Sequence, residues 1–219
     1  MRKDGRSHRR DEVLPSLVEA ARQTKRALEK RDRSLDPGAE APRLISRIES
    51  LGITLEAILL THGHSDHIGA VAEIKERFEL PIYIGDGEQE LLTDPLKNLS
   101  AAHGEHVVSP PADHLLNDSD SLTIAGFDFS ILLTPGHSPA SICYLHDKIM
   151  FCGDVVFMGS IGRTDLPGAD HETMMRTLAE KILTLPDEIF LYPGHGPATT
   201  VGRERMTNPF LLQLQDSSV

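Results

Sequence analysis

Thr61-His62-Gly63-His64-Ser65-Asp66-His67 follows directly on the apolar run Ala57-Ile58-Leu59-Leu60, and this stretch decides how the rest of the chain is read. Three imidazoles and a carboxylate fall immediately after a short buried strand. Both groups are natural ligands of zinc and related divalent ions. In extended backbone, residues two apart point to the same side, so His62 and His64 can grip one ion together. A turn after them can aim Asp66 and His67 at a second ion. A merely polar surface loop would scatter its histidines instead. A helix over Ile68–Phe78 and a second buried strand, Pro81–Gly85, come next. This order of strand, loop, helix and strand predicts a parallel α/β unit, where sites form beyond the carboxyl ends of strands.

Outward from the cluster, the pattern recurs three times. Thr134-Pro135-Gly136-His137 follows an apolar strand, Phe151-Cys152-Gly153-Asp154 ends another, and Tyr192-Pro193-Gly194-His195 ends a third. Taken singly, each His or Asp would more often be structural than a ligand. Repetition changes that: four strands each deliver a metal-type residue through a tight turn, where glycine lets backbone approach closely. The candidate ligands are therefore His62, His64, Asp66, His67, His137, Asp154 and His195. His8, His103, His106, His114 and His146 lack the strand-then-glycine context, and His171, early in a helix, reads as a surface group.

The flanking segments supply the frame. Ala41–Leu51 reads as a helix with Leu44, Ile45, Ile48 and Leu51 on one face and Gly52 as its stop. Residues 121–124, 127–134, 141–145, 148–152 and 188–192 read as strands, with hairpin turns at Ala125-Gly126 and Asp147-Lys148. Asp170 caps a helix expected from His171 to Leu183. Within 86–118 only a short helix, Glu88–Leu92, is legible. Residues 1–34 are highly charged; Val13, Leu14, Leu17, Val18, Ala21 and Leu28 recur at helical spacing and predict an amphipathic helix over 13–31, set apart from a domain of residues 35–219.

Composition narrows the partners. A formal net charge of −11 disfavours nucleic acid, whose phosphates need a clustered basic surface. No apolar run approaches the ~18 residues of a membrane helix, and no apolar core follows the basic start as a secretory signal requires. No membrane association and a cytoplasmic location are the expectations. Cys143 and Cys152 sit in apolar runs without metal-type spacing and read as buried, reduced thiols. Nothing signals an oligomeric state.

The motifs together resemble the metallo-β-lactamase-fold hydrolases, and within them the short proteins of the glyoxalase II (hydroxyacylglutathione hydrolase) type. The resemblance spans roughly residues 35–212. It rests on T-H-G-H-S-D-H at 61–67, T-P-G-H-S-P-A-S at 134–141, G-D-V-V-F at 153–157, G-R-T-D-L-P-G-A-D at 162–170, Y-P-G-H-G-P-A-T-T at 192–200 and N-P-F-L at 208–211. It implies an α/β fold, a four-layer αββα sandwich with the metals at one edge of two sheets. By position it implies His62, His64 and His137 at the first metal, Asp66, His67 and His195 at the second, and Asp154 bridging both. Asp36, in Leu35-Asp36-Pro37-Gly38, would support the site from outside the ligand set. The charged start departs from the family's usual first strands: a helix replaces them, a partner chain supplies them, or the start of the reading frame is aberrant, and an atypical helical N-terminus in their place is the expectation. Longer glyoxalase II enzymes carry a helical glutathione-binding domain for which this chain has no room, so glutathione recognition is expected from kinship alone.

The ligand set has a chemistry of its own. Two divalent ions ~3.5–4 Å apart can share a water and lower its pKa toward ~7, making hydroxide available at neutral pH. The expectation is a binuclear-metal hydrolase in which a metal-bridging hydroxide attacks an ester or thioester carbonyl, with Asp66 and Asp154 as catalytic groups; the resemblance implies a thioester such as S-lactoylglutathione. Zinc suits the ligands, and iron or manganese tolerate them. Ser65 and Ser138 flank ligands but lie in no G-x-S-x-G turn, so no serine nucleophile is expected. Arg163 can meet a substrate carboxylate through bidentate hydrogen bonds, or be held internally by Asp165. Two alternatives stand beside this: an iron-dependent persulfide dioxygenase, similar through G-R-T-D, and a non-catalytic metal-binding relative.

Overall fold

The protein is described by a computed structural model over residues 40–52 and 54–216, within one unit of the chain, Asp36–Val219. The helix expected over 13–31 and Asp36 lie outside the described residues.

Two sheets form the centre. In the first, β1 (Ile58–Leu59), β2 (Ile82–Gly85) and β3 (His114–Leu116) run parallel in that order. The second has six strands: β4 (Ser121–Ile124), β5 (Phe127–Leu133), β6 (Ile142–His146), β7 (Ile149–Gly153), β10 (Phe190–Pro193) and β11 (Thr199–Thr200), in spatial order β11-β10-β7-β6-β5-β4. Its pairs are antiparallel except β7 with β10. A small hairpin, β8 (Val156–Phe157) with β9 (Ser160–Ile161), stands apart. The helices are α1 (Ala41–Leu51), α2 (Ser65–Ile68), α3 (Val71–Phe78), α4 (Gln89–Thr93), α5 (His171–Thr177), α6 (Val201–Thr207) and α7 (Pro209–Asp216).

Three apolar seams define four layers. Ala41, Ala70, Ile74 and Leu80, with Leu44 and Ile45, join α1 and α3 to the first sheet, continued by Leu60, Ile68, Val71, Ile82 and Ile84. Between the sheets lie Leu116, Ile131, Ile142 and Tyr144, against Leu59, Tyr83, Phe129 and Leu133. Beyond the second sheet, Cys143, Met150, Cys152 and Leu191 meet Met174, Leu178, Ile182, Val201 and Leu211. The order helix, sheet, sheet, helix is the expected αββα sandwich. A buried large apolar side chain contributes about 1.5–3 kcal/mol, so these seams hold the layers in place. Tyr144 adds direction: its hydroxyl donates to the Leu60 carbonyl at 2.9 Å and ties the second sheet to the end of β1.

Two helices differ from expectation. The helix predicted over Ile68–Phe78 is interrupted at Gly69-Ala70, because glycine is a poor helix former and a separate turn already begins at Ser65. The helix from His171 is α-helical only to Thr177 and continues as a π-helical turn, Leu178–Ile182, closed by Leu183 N donating to Leu178 O. Asp170 caps it as expected, its carboxylate accepting from Thr173 N.

Candidate metal centre

Strand direction brings the ligands together. Because β5 and β6, then β6 and β7, pair antiparallel while β7 and β10 run parallel, β5, β7 and β10 all end at the same edge. The residues leaving those ends are His137, Asp154 and His195. The end of β1 reaches the same edge, where Ile142 N donates to Thr61 O at 2.9 Å. Gly153, at φ +47°, makes that meeting possible: a Cβ there would collide with the Thr61 side chain. Gly194 has a parallel duty, since its Cβ would fall 2.5 Å from Asp154 Oδ1 and 2.6 Å from His67 Cε1.

All seven sequence-predicted ligands converge. His62, His64 and His137 bring donor atoms within 4.8 Å of one another, as do Asp66, His67 and His195, and a third grouping, His62, His67 and Asp154, joins the two. His64 Nδ1 lies 3.0 Å from His137 Nε2, and Asp66 Oδ2 lies 3.0 Å from His195 Nε2. Asp154 stands between the groups. Its Oδ2 is 3.5 Å from both His137 Nε2 and His195 Nε2, and its Oδ1 is 3.5 Å from His67 Nε2. The first group is buried, whereas the side chains of Asp66 and His195 are 54% and 45% exposed and form the mouth.

Charge favours the ligand forms. Burial, reinforced by the crowding of His67, His64 and His137, holds His62 well below the ordinary histidine pKa. Burial and His137 push His64 down to about 4. Burial alone would raise Asp66 and Asp154, but the His195 hydrogen bond to Asp66, the His67 hydrogen bond to Asp154 and the neighbouring imidazoles hold both carboxyls below their usual range. Neutral imidazoles and ionised carboxylates are the states that bind metal.

A pair of divalent ions fits these residues. Ligand atoms on a tetrahedral ion at ~2.0–2.1 Å stand ~3.3 Å apart, close to the 3.0–3.7 Å separations seen here. His62 Nε2 is buried with no hydrogen-bond partner among the described residues, while its Nδ1 lies 3.1 Å from Thr61 Oγ1. A buried ring nitrogen left this way costs free energy unless a ligand takes its lone pair. His137 Nδ1 donates to the Arg163 carbonyl at 2.9 Å, which leaves Nε2 as the ring atom turned toward the other ligands.

Sequence reasoning missed three contributors: the Thr61 hydroxyl, the Arg163 carbonyl and Glu88. The fully buried Glu88 carboxylate accepts from Gly63 N and Ala140 N, the two loops that carry His62, His64 and His137. A clue was present, since Glu88 lies three residues past a buried strand, but Asp86 and Glu90 compete for the same role on pattern alone. The Arg163 side chain is exposed and held by both oxygens of Asp165 at 2.9 Å. His171 is exposed, its Nδ1 3.1 Å from Thr164 Oγ1. Ser138 is fully buried, a poor place for a nucleophile.

Comparison with known proteins gives concordant results. The family described as the metallo-beta-lactamase superfamily matches residues 32–195. Hydroxyacylglutathione hydrolase GloC of Haemophilus influenzae is 41% identical over 191 residues, covering 84% of this chain and 88% of that protein. The crystal structure of BLEG-1 B3 metallo-beta-lactamase is similar at a TM-score of 0.78 and 46% identity, covering 80% of this chain and 86% of that one. TTHA1623, solved in a di-iron-bound form, follows at 0.73 and 39% identity, covering 80% and 87%.

Proposed function

This chain belongs to the metallo-beta-lactamase superfamily, and from that premise we propose that it is a two-metal hydrolase of acyl thioesters, with S-lactoylglutathione or a related acyl-glutathione as its substrate class. The observation that carries the proposal is the Asp154 carboxylate, whose Oδ2 lies 3.5 Å from one histidine of each donor set. A group so placed can serve two ions at once. When bound, such a pair supplies Lewis acidity for a carbonyl oxygen and acidifies water to near neutrality.

The chain's own residues do the rest. His62, His64, His67 and His137 form a buried floor, in which burial keeps His62 and His64 neutral. Asp66 and His195, exposed and hydrogen-bonded to each other, line the side from which substrate and water enter. The Asp66 carboxylate stays ionised across the neutral range and is the proposed acceptor for a proton released from water. Arg163 is a proposed contact for a substrate carboxylate, reached by exchanging Asp165 for the ligand. The thioester preference is supported by likeness to the Haemophilus hydroxyacylglutathione hydrolase, and iron as an alternative to zinc by likeness to di-iron TTHA1623.

A second substrate reading, a β-lactam amide, is favoured by the 46% identity to BLEG-1. The test is a panel of thioesters, esters, lactones and β-lactams offered to metal-replete protein, with Asp154→Asn as control. Thioester turnover well above that control is expected. Turnover confined to β-lactams would transfer the proposal to the second reading, and iron at one per chain with oxygen uptake would replace hydrolysis altogether.

A further inference from the structure

Glu88 precedes α4 with its side chain fully buried. A carboxylate is expensive to desolvate and persists in an interior only when hydrogen-bonded. Its two oxygens divide between two loops: Oε2 accepts from Gly63 N at 3.0 Å, and Oε1 accepts from Ala140 N at 2.8 Å. Gly63 separates His62 from His64, and Ala140 lies three residues beyond His137. One side chain therefore anchors the segments carrying His62, His64 and His137, and neither bond touches the loop of His195. A second contact seats the same loop. A Cβ on Gly63 would lie 2.5 Å from Leu91 Cβ and 3.3 Å from the Glu88 carbonyl, so the histidine loop rests against the start of α4.

We propose that Glu88 is a positioning residue for the His62–His64–His137 half of the centre, setting the metal affinity of that half separately from the Asp66–His67–His195 half. This inference rests on the metal-centre reading above. The requirement for a carboxylate follows from counting acceptors. Two N–H groups need two acceptor oxygens, and a carboxylate supplies both with charge-assisted bonds. An amide of the same shape offers one oxygen, and its NH2 must then confront the second N–H. Glu88→Gln thus frees one loop while preserving volume. Groups that orient metal ligands in this way typically change metal affinity by about 10–100-fold.

The test is a titration of Zn2+ into metal-free full-length protein in competition with a chromogenic chelator, which resolves two dissociation constants. His64→Ala and Asp66→Ala identify which constant belongs to which half. The parent should bind two ions. Glu88→Gln should weaken the three-histidine half by about 10–100-fold and leave the other within about threefold. Equal weakening of both halves, or of neither, overturns the role of Glu88 and leaves the centre standing. A parent that binds fewer than two ions overturns the metal-centre reading and this inference with it. Should Glu88→Gln not fold, Glu88→Asp, one methylene too short to span both loops, is titrated in its place, with the same asymmetry expected and the same results overturning it.

Discussion

Adding a single methyl at Gly194 should disable the metal centre while sparing the fold. The backbone of Gly194 lies outside the left-handed region, so Gly194→Ala adds a steric demand without conformational strain. The new Cβ would sit 2.5 Å from Asp154 Oδ1 and 2.6 Å from His67 Cε1, where ordinary contact begins at 3.4 Å. The two side chains must therefore withdraw by about 0.8–0.9 Å, several times the roughly ±0.2 Å that ligand distances tolerate. Both are candidate ligands, so the methyl strikes the bridge and the second donor set together. A misplacement near 1 Å costs on the order of 100-fold in rate. The expected result is kcat/KM for thioester hydrolysis lowered by about 100-fold or more, with fewer than two ions retained against a chelator. Gly194 is only partly buried and its N–H still reaches Gly153 O, so circular dichroism and the Tm of the metal-free protein should stay close to the parent's. Two ions held at parental affinity with parental turnover would refute the reasoning, because the bridge would then tolerate a displacement it should not.

Three further outcomes are expected. Glu204, fully buried, accepts from Gly159 N, Thr199 Oγ1 and Asn208 Nδ2; Glu204→Ala strands these donors and should cost about 3 kcal/mol, lowering Tm by about 6–12 °C in a thermal melt. Unfolded histidine takes its proton near 6.5 while folded His64 is pushed down to about 4, so between those values the unfolded chain binds the extra proton; the Tm of metal-free protein should be highest above about pH 6.5 and fall toward pH 4, and a flat profile would contradict the neutral buried imidazole. Burial pushes the Cys143 thiol up to about 12 and the Cys152 thiol well above its usual value, so neither should react with iodoacetamide in native protein at pH 8, whereas both should react in denaturant, as mass spectrometry would count.

How far the sequence spoke for itself depended on the range of the interactions involved. The histidine cluster was legible because a strand and its exit loop are contiguous, and the later ligands because each repeats that local form. The β4–β5 and β6–β7 hairpins were legible for the same reason: their turns carry the left-handed residues Ala125, Gly126 and Asp147. What escaped was decided at a distance. The three-residue strand His114–Leu116 is a strand only because β2 pairs with it, and two of its residues are exposed. The short helices α6 and α7 depend on packing against the second sheet through Val201 and Leu211. Glu88 is one of three acids between Asp86 and Glu90, and its burial depends on loops 25 and 52 residues away.

The most direct test adds Zn2+ stepwise to metal-free protein while following hydrolysis of S-lactoylglutathione against ions bound per chain. Activity should be negligible without metal and rise to a plateau at two ions per chain. No hydrolysis with two ions bound, or equal hydrolysis with none, would contradict the claim that these seven residues form a two-metal thioester hydrolase.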